Sequence, residues 1–299
     1  MRIIQVTDTH ISAHGGSTNE NLVKMIDFVN DLQPDLIVHT GDVSILDPDN
    51  AADRAEAAQL LSGLKAPFRI LPGNHDVGEP GDTPFGGVGV NSERVAAFRE
   101  VFGDDRWVQD IGEFSVVGFN SELMSSGLPE EDEQWAWLEA LPGRLNARPT
   151  VIFSHKPIHA PAPGLQVSNF SLSQESLSRL RPILKRINVQ AFGSGHLHRW
   201  ALNAHDGVQA ISGPSTAFVM RGTEERFGPS LSQLGVVEYQ FREGGTVTPF
   251  FRARPDLVEH VALNIAAFRI ALDEMGIDPS VVDPEVERIP EGAAVASIG

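Results

Sequence analysis

Two stretches decide the fold: Ile3-Ile4-Gln5-Val6-Thr7-Asp8-Thr9-His10 and Leu36-Ile37-Val38-His39-Thr40-Gly41-Asp42. Each is a short β-rich run that breaks into polar residues, the pattern of a buried strand whose C-terminal end carries the polar groups. Between them Leu22, Met25, Ile26, Val29 and Leu32 recur three and four apart, behind Ser17, Thr18 or Asn19 as a cap. That reads as strand, helix, strand. The pattern continues with a helix over 51–64, a strand over 68–71 and a loop opening at Pro72-Gly73-Asn74-His75-Asp76. Such repetition is the α/β arrangement, in which sites collect beyond the carboxyl ends of the strands. The Gly- and Pro-rich stretch 78–91 follows directly and reads as a surface loop bordering the site. Further strands are predicted at 114–119, 151–153, 189–192, 208–211 and 235–241, so that a second sheet packs on the first.

The chain has 299 residues, enough for one large core or two modest ones. Lys and Arg number 23 against 40 Asp and Glu, a formal charge of −17. A field of that sign repels phosphate backbones and anionic lipid, which disfavours a nucleic-acid or membrane-surface role. Cys is 0, which excludes disulfides, thiolate zinc sites and cysteine nucleophiles. No stretch approaches the apolar length that crosses a bilayer. The start MRIIQVTDTH lacks a basic segment followed by an apolar one, so the chain is read as cytoplasmic.

From Pro255 the composition changes, which divides the chain into a catalytic domain over 1–255 and a C-terminal helix with an acidic tail over 256–299. Val261, Ile265, Phe268, Leu272 and Met275 form one apolar stripe. It is expected to pack on its own domain, away from the phosphate and against the second sheet, with a sister subunit, which would make a homo-oligomer, or a lid on the site as the alternatives. No residue after Pro255 is expected to hold metal, and a chain cut there is expected to keep its metals.

His is scarce, ten in all, and unevenly placed. His10 follows Asp8 by two, and His196 and His198 flank Leu197. In an extended segment residues two apart point the same way, so each pair presents two ligands to one place and implies a metal site. A second carboxylate, Asp42, ends the second strand where it would meet the end of the first, and one carboxylate can bridge two cations that act together on a phosphoryl group. Asn74 offers a neutral oxygen. Carboxylate, imidazole and amide ligands without sulfur suit manganese, iron, cobalt or zinc.

The ordered set Asp8-x-His10, Gly41-Asp42, Gly73-Asn74-His75-Asp76, His155 and Gly195-His196-x-His198 resembles the calcineurin-like metallophosphoesterase family, from the first strand to about residue 220. The resemblance implies two mixed β-sheets packed face to face and flanked by helices, an αββα sandwich. It implies that Asp8, His10, Asp42 and His198 hold one metal, and that Asp42, Asn74, His155 and His196 hold the other. It also implies that His75 faces the leaving group and that Asp76 orients His75. Ser212-Gly213-Pro214-Ser215-Thr216 resembles the segment found in the class III cyclic-nucleotide phosphodiesterase and glycerophosphodiesterase branch.

The function so implied is hydrolysis of a small soluble phosphodiester, a cyclic nucleotide or a glycerophosphodiester, by hydroxide made from a metal-held water. A phosphomonoesterase or nucleotidase on the same centre is the alternative, and a scaffold without chemistry a third. The family's Gly-Asp-hydrophobic-hydrophobic-Asp is Gly41-Asp42-Val43-Ser44-Ile45 here, and its His-His-x-Pro is Ser154-His155-Lys156-Pro157. Lys156, Arg199 and Arg221 are candidate anion clamps. His14 and His159 lie near the ligating loops, and His39 reads as structural.

Overall fold

The structure, a computed structural model, describes residues 1–81, 88–158, 170–205, 207–220, 230–242 and 244–282. The first half runs β1 (Arg2–Val6), α1 (Ser17–Asp31), β2 (Leu36–His39), α2 (Ala51–Leu61), β3 (Phe68–Ile70), α3 (Asn74–Val77), α4 (Ser92–Phe102), β4 (Trp107–Ile111), β5 (Phe114–Gly118) and α5 (Pro129–Leu145). The second runs β6 (Thr150–Phe153), α6 (Gln174–Leu184), β7 (Val189–Ser194), β8 (Ala201–His205), β9 (Val208–Ser212), β10 (Gly235–Phe241), β11 (Val247–Ala253) and α7 (Ala266–Glu274).

Two mixed sheets result. The first has the order β11-β10-β1-β2-β3, with β1, β2 and β3 parallel and β10 antiparallel to β1. The second has the order β4-β5-β6-β7-β9-β8, parallel except for its antiparallel edges β4 and β8. Strand alternation builds three apolar layers. Ile3, Val38 and Tyr239 of the first sheet meet Val116, Phe153 and Ile211 of the second between the sheets. Ile4, Val6 and Ile37 face the opposite way, onto Met25 and Val29 of α1. Val117, Ile152 and Phe192 face Leu138 of α5 and Leu180 of α6. This is the expected αββα sandwich.

Edge strands β4, β8 and β11 and helices α4, α5 and α6 were not among the predicted elements. The C-terminal stripe packs on its own chain as expected, but on a different surface: Leu263, Ile265, Phe268 and Leu272 are buried against Ile45, Ala217 and Phe218, in loops beyond β2 and β9, and not against the second sheet. The connection is stitched to α1, with Asn21 Nδ2 donating to the Val258 carbonyl at 2.9 Å and Val258 N–H donating to Asn21 Oδ1 at 2.9 Å. Residues 283–299 of the acidic tail lie outside the described residues.

Candidate metal centre

The loops leaving β1 and β2 run side by side. Asp8 N–H donates to the Gly41 carbonyl at 2.9 Å, His10 N–H to Asp42 at 3.1 Å and Ile11 N–H to Val43 at 2.8 Å. The ladder thus continues past the strands and delivers Asp8, His10 and Asp42 to one place. The Asn74 loop arrives so close that a Cβ on Gly41 would stand 2.6 Å from Gly73 N and 2.7 Å from His155 Nδ1. Only glycine fits there, at φ 99.

The pairs two apart do converge, but not through extended backbone. Asp8 (φ 52), His10 (φ 46), Asp42 (φ 53), His196 (φ 70) and His198 (φ 51) are all left-handed, five of the nine described non-glycine residues with positive φ. Such a backbone is disfavoured for L-residues and persists where its surroundings enforce it. At these positions it turns each side chain into the centre.

Two groups of side chains form, sharing Asp42: Asp8, His10, Asp42 and His198, and then Asp42, His155 and His196, the ligand atoms of each group lying within 4.8 Å of one another. Asn74 Oδ1 joins the second group, 3.0 Å from His155 Nε2. His10 Nδ1–H donates to the Ile45 carbonyl and His198 Nδ1–H to the Phe218 carbonyl, each at 3.0 Å. With Nδ1–H so engaged, Nε2 is the atom each ring leaves to meet a cation, and the two Nε2 atoms stand 3.1 Å apart. The sulfur-free donor set fits divalent or trivalent manganese, iron, cobalt or zinc.

The electrostatics agree. Burial opposes ionisation of Asp8, yet the facing His198 brings it down to about 2. Asp42 is likewise held well below the usual carboxylate range, against burial, by His155 and His75. Burial, with the like charge of His75, pushes His10 down to about 3. Burial also opposes charge on His155, but Asp42 and Asp8 lift it to about 10, so a proton occupies that ring until a cation displaces it.

His75 is at the same centre, its Nε2 3.8 Å from Asp42 Oδ2 and its N–H donating to Asp42 Oδ1 at 2.9 Å. Asp76 does something other than orient that ring. Its carboxylate accepts N–H bonds from Val43 at 3.1 Å, Ser44 at 2.9 Å and Gly73 at 2.9 Å, which clamps the Asp42 loop to the Asn74 loop. Short-range geometry explains this, because Asp76 is the third residue of α3 and turns back onto the helix start.

Supporting residues emerge that sequence reading passed over. Thr7 Oγ1 donates to Asp8 Oδ2 at 2.7 Å, and Ser215 Oγ to the Asp8 carbonyl at 2.8 Å. His39 is structural as expected: Nδ1 accepts from Gly41 N–H at 3.2 Å and Nε2–H donates to Thr9 Oγ1 at 3.0 Å. Lys156 is buried, with Nζ 2.9 Å from Glu122 Oε2 and 3.8 Å from Glu79 Oε2. Arg199 donates to Ser230 Oγ at 2.7 Å. His14 pairs with Glu274 at 3.4 Å and joins neither ligand group. His159 and Arg221 lie outside the described residues.

The model of the calcineurin-like phosphoesterase family matches residues 1–200. A probable glycerophosphodiester phosphodiesterase of Arcobacter nitrofigilis is 28% identical over 222 residues, 67% of this chain and 72% of that one. A probable cyclic nucleotide phosphodiesterase of Vesicomyosocius okutanii is 28% identical over 234 residues, 76% of this chain and 90% of that one. Among solved structures, a dimetal phosphatase from Danio rerio superposes with a TM-score of 0.55 at 14% identity, covering 85% of this chain and 99% of that one, a likeness of fold.

Proposed function

The chain belongs to the calcineurin-like phosphoesterase family and is a metal-dependent phosphoric ester hydrolase, and from that premise we propose that it hydrolyses a small soluble phosphodiester, a cyclic nucleotide or a glycerophosphodiester, on a binuclear centre. The observation that carries this reading is the sharing of Asp42 between two groups of ligands. Asp8, His10, Asp42 and His198 would hold one cation, and Asp42, Asn74, His155 and His196 the other. Bound there, two cations would neutralise charge developing on the phosphoryl oxygens and acidify a water.

The chain's own residues do the rest. Thr7 and Ser215 hold Asp8, and the Ile45 and Phe218 carbonyls hold the rings of His10 and His198. His75 stands half-exposed beside Asp42, placed to give a proton from its ring to the departing alkoxide. Asp76 keeps the two ligand loops in register.

The relatives named as diesterases support a diester over a monoester. A monoester dianion presents one more anionic oxygen and calls for a cationic side chain. Rates on bis(p-nitrophenyl) phosphate and p-nitrophenyl phosphate with added manganese test the reading. A higher kcat/KM for the diester is expected; a higher value for the monoester would assign the chain to the phosphomonoesterases.

A further inference from the structure

α7 lies beyond the stretch that the family model matches, residues 1–200, yet it packs on the two residues that set the ligand rings of one half of the centre. The carbonyls receiving His10 Nδ1–H and His198 Nδ1–H belong to Ile45 and Phe218. The side chains of those residues share one buried cluster with Ile265, Phe268 and Leu272 of the C-terminal segment. The Phe218 ring centroid stands 4.4 Å from that of His198 and 4.7 Å from that of His10 on one side, and 5.8 Å from that of Phe268 on the other. The second half is fixed differently: His155 Nδ1–H donates to the Thr40 carbonyl at 2.8 Å, and Thr40 is no part of that cluster.

We propose that α7, through Phe268 and Phe218, is a positioning element for the cation held by Asp8, His10, Asp42 and His198, and not for the cation held by Asp42, Asn74, His155 and His196. The physical route is short. Phe268 is buried, so truncating it opens a cavity behind Phe218. The Phe218 ring then gains freedom to move off His10 and His198, and its carbonyl, which holds His198 in the metal-binding tautomer, moves with it. Packing of this kind also argues against the expectation that a chain cut at Pro255 keeps both metals. The inference rests on the binuclear reading.

The test is calorimetric titration of the metal-free, full-length protein with Mn²⁺. The parent protein is expected to show two binding steps. Phe268→Ala is expected to weaken one step by about 10–100-fold, the usual effect of disturbing ligand support, and to leave the other in place. Asn74→Ala marks the second step, so Asn74→Ala/Phe268→Ala should show both steps weakened. If Phe268→Ala does not fold, Phe268→Leu, which removes the ring but keeps most of the volume, should weaken the same single step to a smaller extent. Leu180→Ala, in the core between the second sheet and its helices, should lower thermal stability and leave both steps intact. Equal weakening of both steps by Phe268→Ala, or no weakening, would overturn the inference, as would a double variant with one step intact. A parent protein that binds fewer than two metals would instead break the binuclear reading beneath it.

Discussion

The two halves of the metal centre share Asp42 and are built on opposite principles. Asp8, His10 and His198 are buried, and the two histidine rings pack under Phe218 and donate to backbone carbonyls. In the other half His155 is buried, but Asn74 and His196 are half-exposed; His75, also half-exposed, stands by the shared Asp42 with its ring centroid 5.0 Å from that of His10. One half is constructed like a protein core and the other like a mouth. The difference teaches how one donor chemistry serves two ends: packing gives rigidity where a cation must be held, and exposure gives access where an ester must enter.

Removing what the halves share breaks the comparison most severely. Asp42→Ala is expected to lower bound metal in both halves and to leave no detectable turnover, read by metal analysis and by diester hydrolysis on the same sample. Two tightly held metals in that variant would end the bridging role.

His75→Ala separates acid from ligand beside the shared Asp42. Both metals should stay, while esters with poor leaving groups lose about 10²–10⁴-fold in rate and activated nitrophenyl esters lose much less. Equal losses on both ester classes would mean that His75 does not protonate the leaving group.

Asp76 links the halves through backbone, and its three N–H partners would be left unsatisfied on truncation. Asp76→Ala is expected to weaken metal binding by about 10–100-fold. Because the clamp does not act through the imidazole, the rate loss of His75→Ala/Asp76→Ala should exceed that of His75→Ala alone. A double variant no slower than His75→Ala would restore the orienting role for Asp76.

Proton competition sharpens the contrast more gently. His10, pushed down to about 3, is neutral across the ordinary range and yields no proton to an arriving cation. His155, raised from 6.5 to about 10, is protonated in the metal-free fold. Its proton stabilises that fold fully below 6.5, and the contribution is lost as pH rises through about 10. Metal binding at the His155 half should therefore strengthen about tenfold per pH unit between 6.5 and 10, while the step governed by His10 stays flatter. Calorimetric titrations at several pH values check this, and two parallel pH profiles would refute it.

Much of this centre was legible in the sequence because scarce histidines and carboxylates stand at the ends of β-rich runs. The reason they converge was not. Extended backbone was expected, whereas Asp8, His10, Asp42, His196 and His198 are left-handed, a state that Asp and His adopt more readily than most residues. Edge strands β8 and β11 escaped detection because their sequences, ALNAH and VTPFFRA, do not alternate cleanly and the second contains Pro249. The stripe containing Ile265, Phe268 and Leu272 announced a buried face, but periodicity cannot name the surface that covers it. Lys156 reads as an anion clamp until Glu122 and Glu79, distant in sequence, close around it.

Whether two cations joined through Asp42 act on one diester is tested most directly by adding Mn²⁺ stepwise to the metal-free protein, with bound metal and bis(p-nitrophenyl) phosphate turnover read on the same samples. Turnover is expected to stay low through the first equivalent, to climb with the second and to level off at two. A plateau at one equivalent, or turnover indifferent to metal, would contradict a binuclear phosphodiesterase.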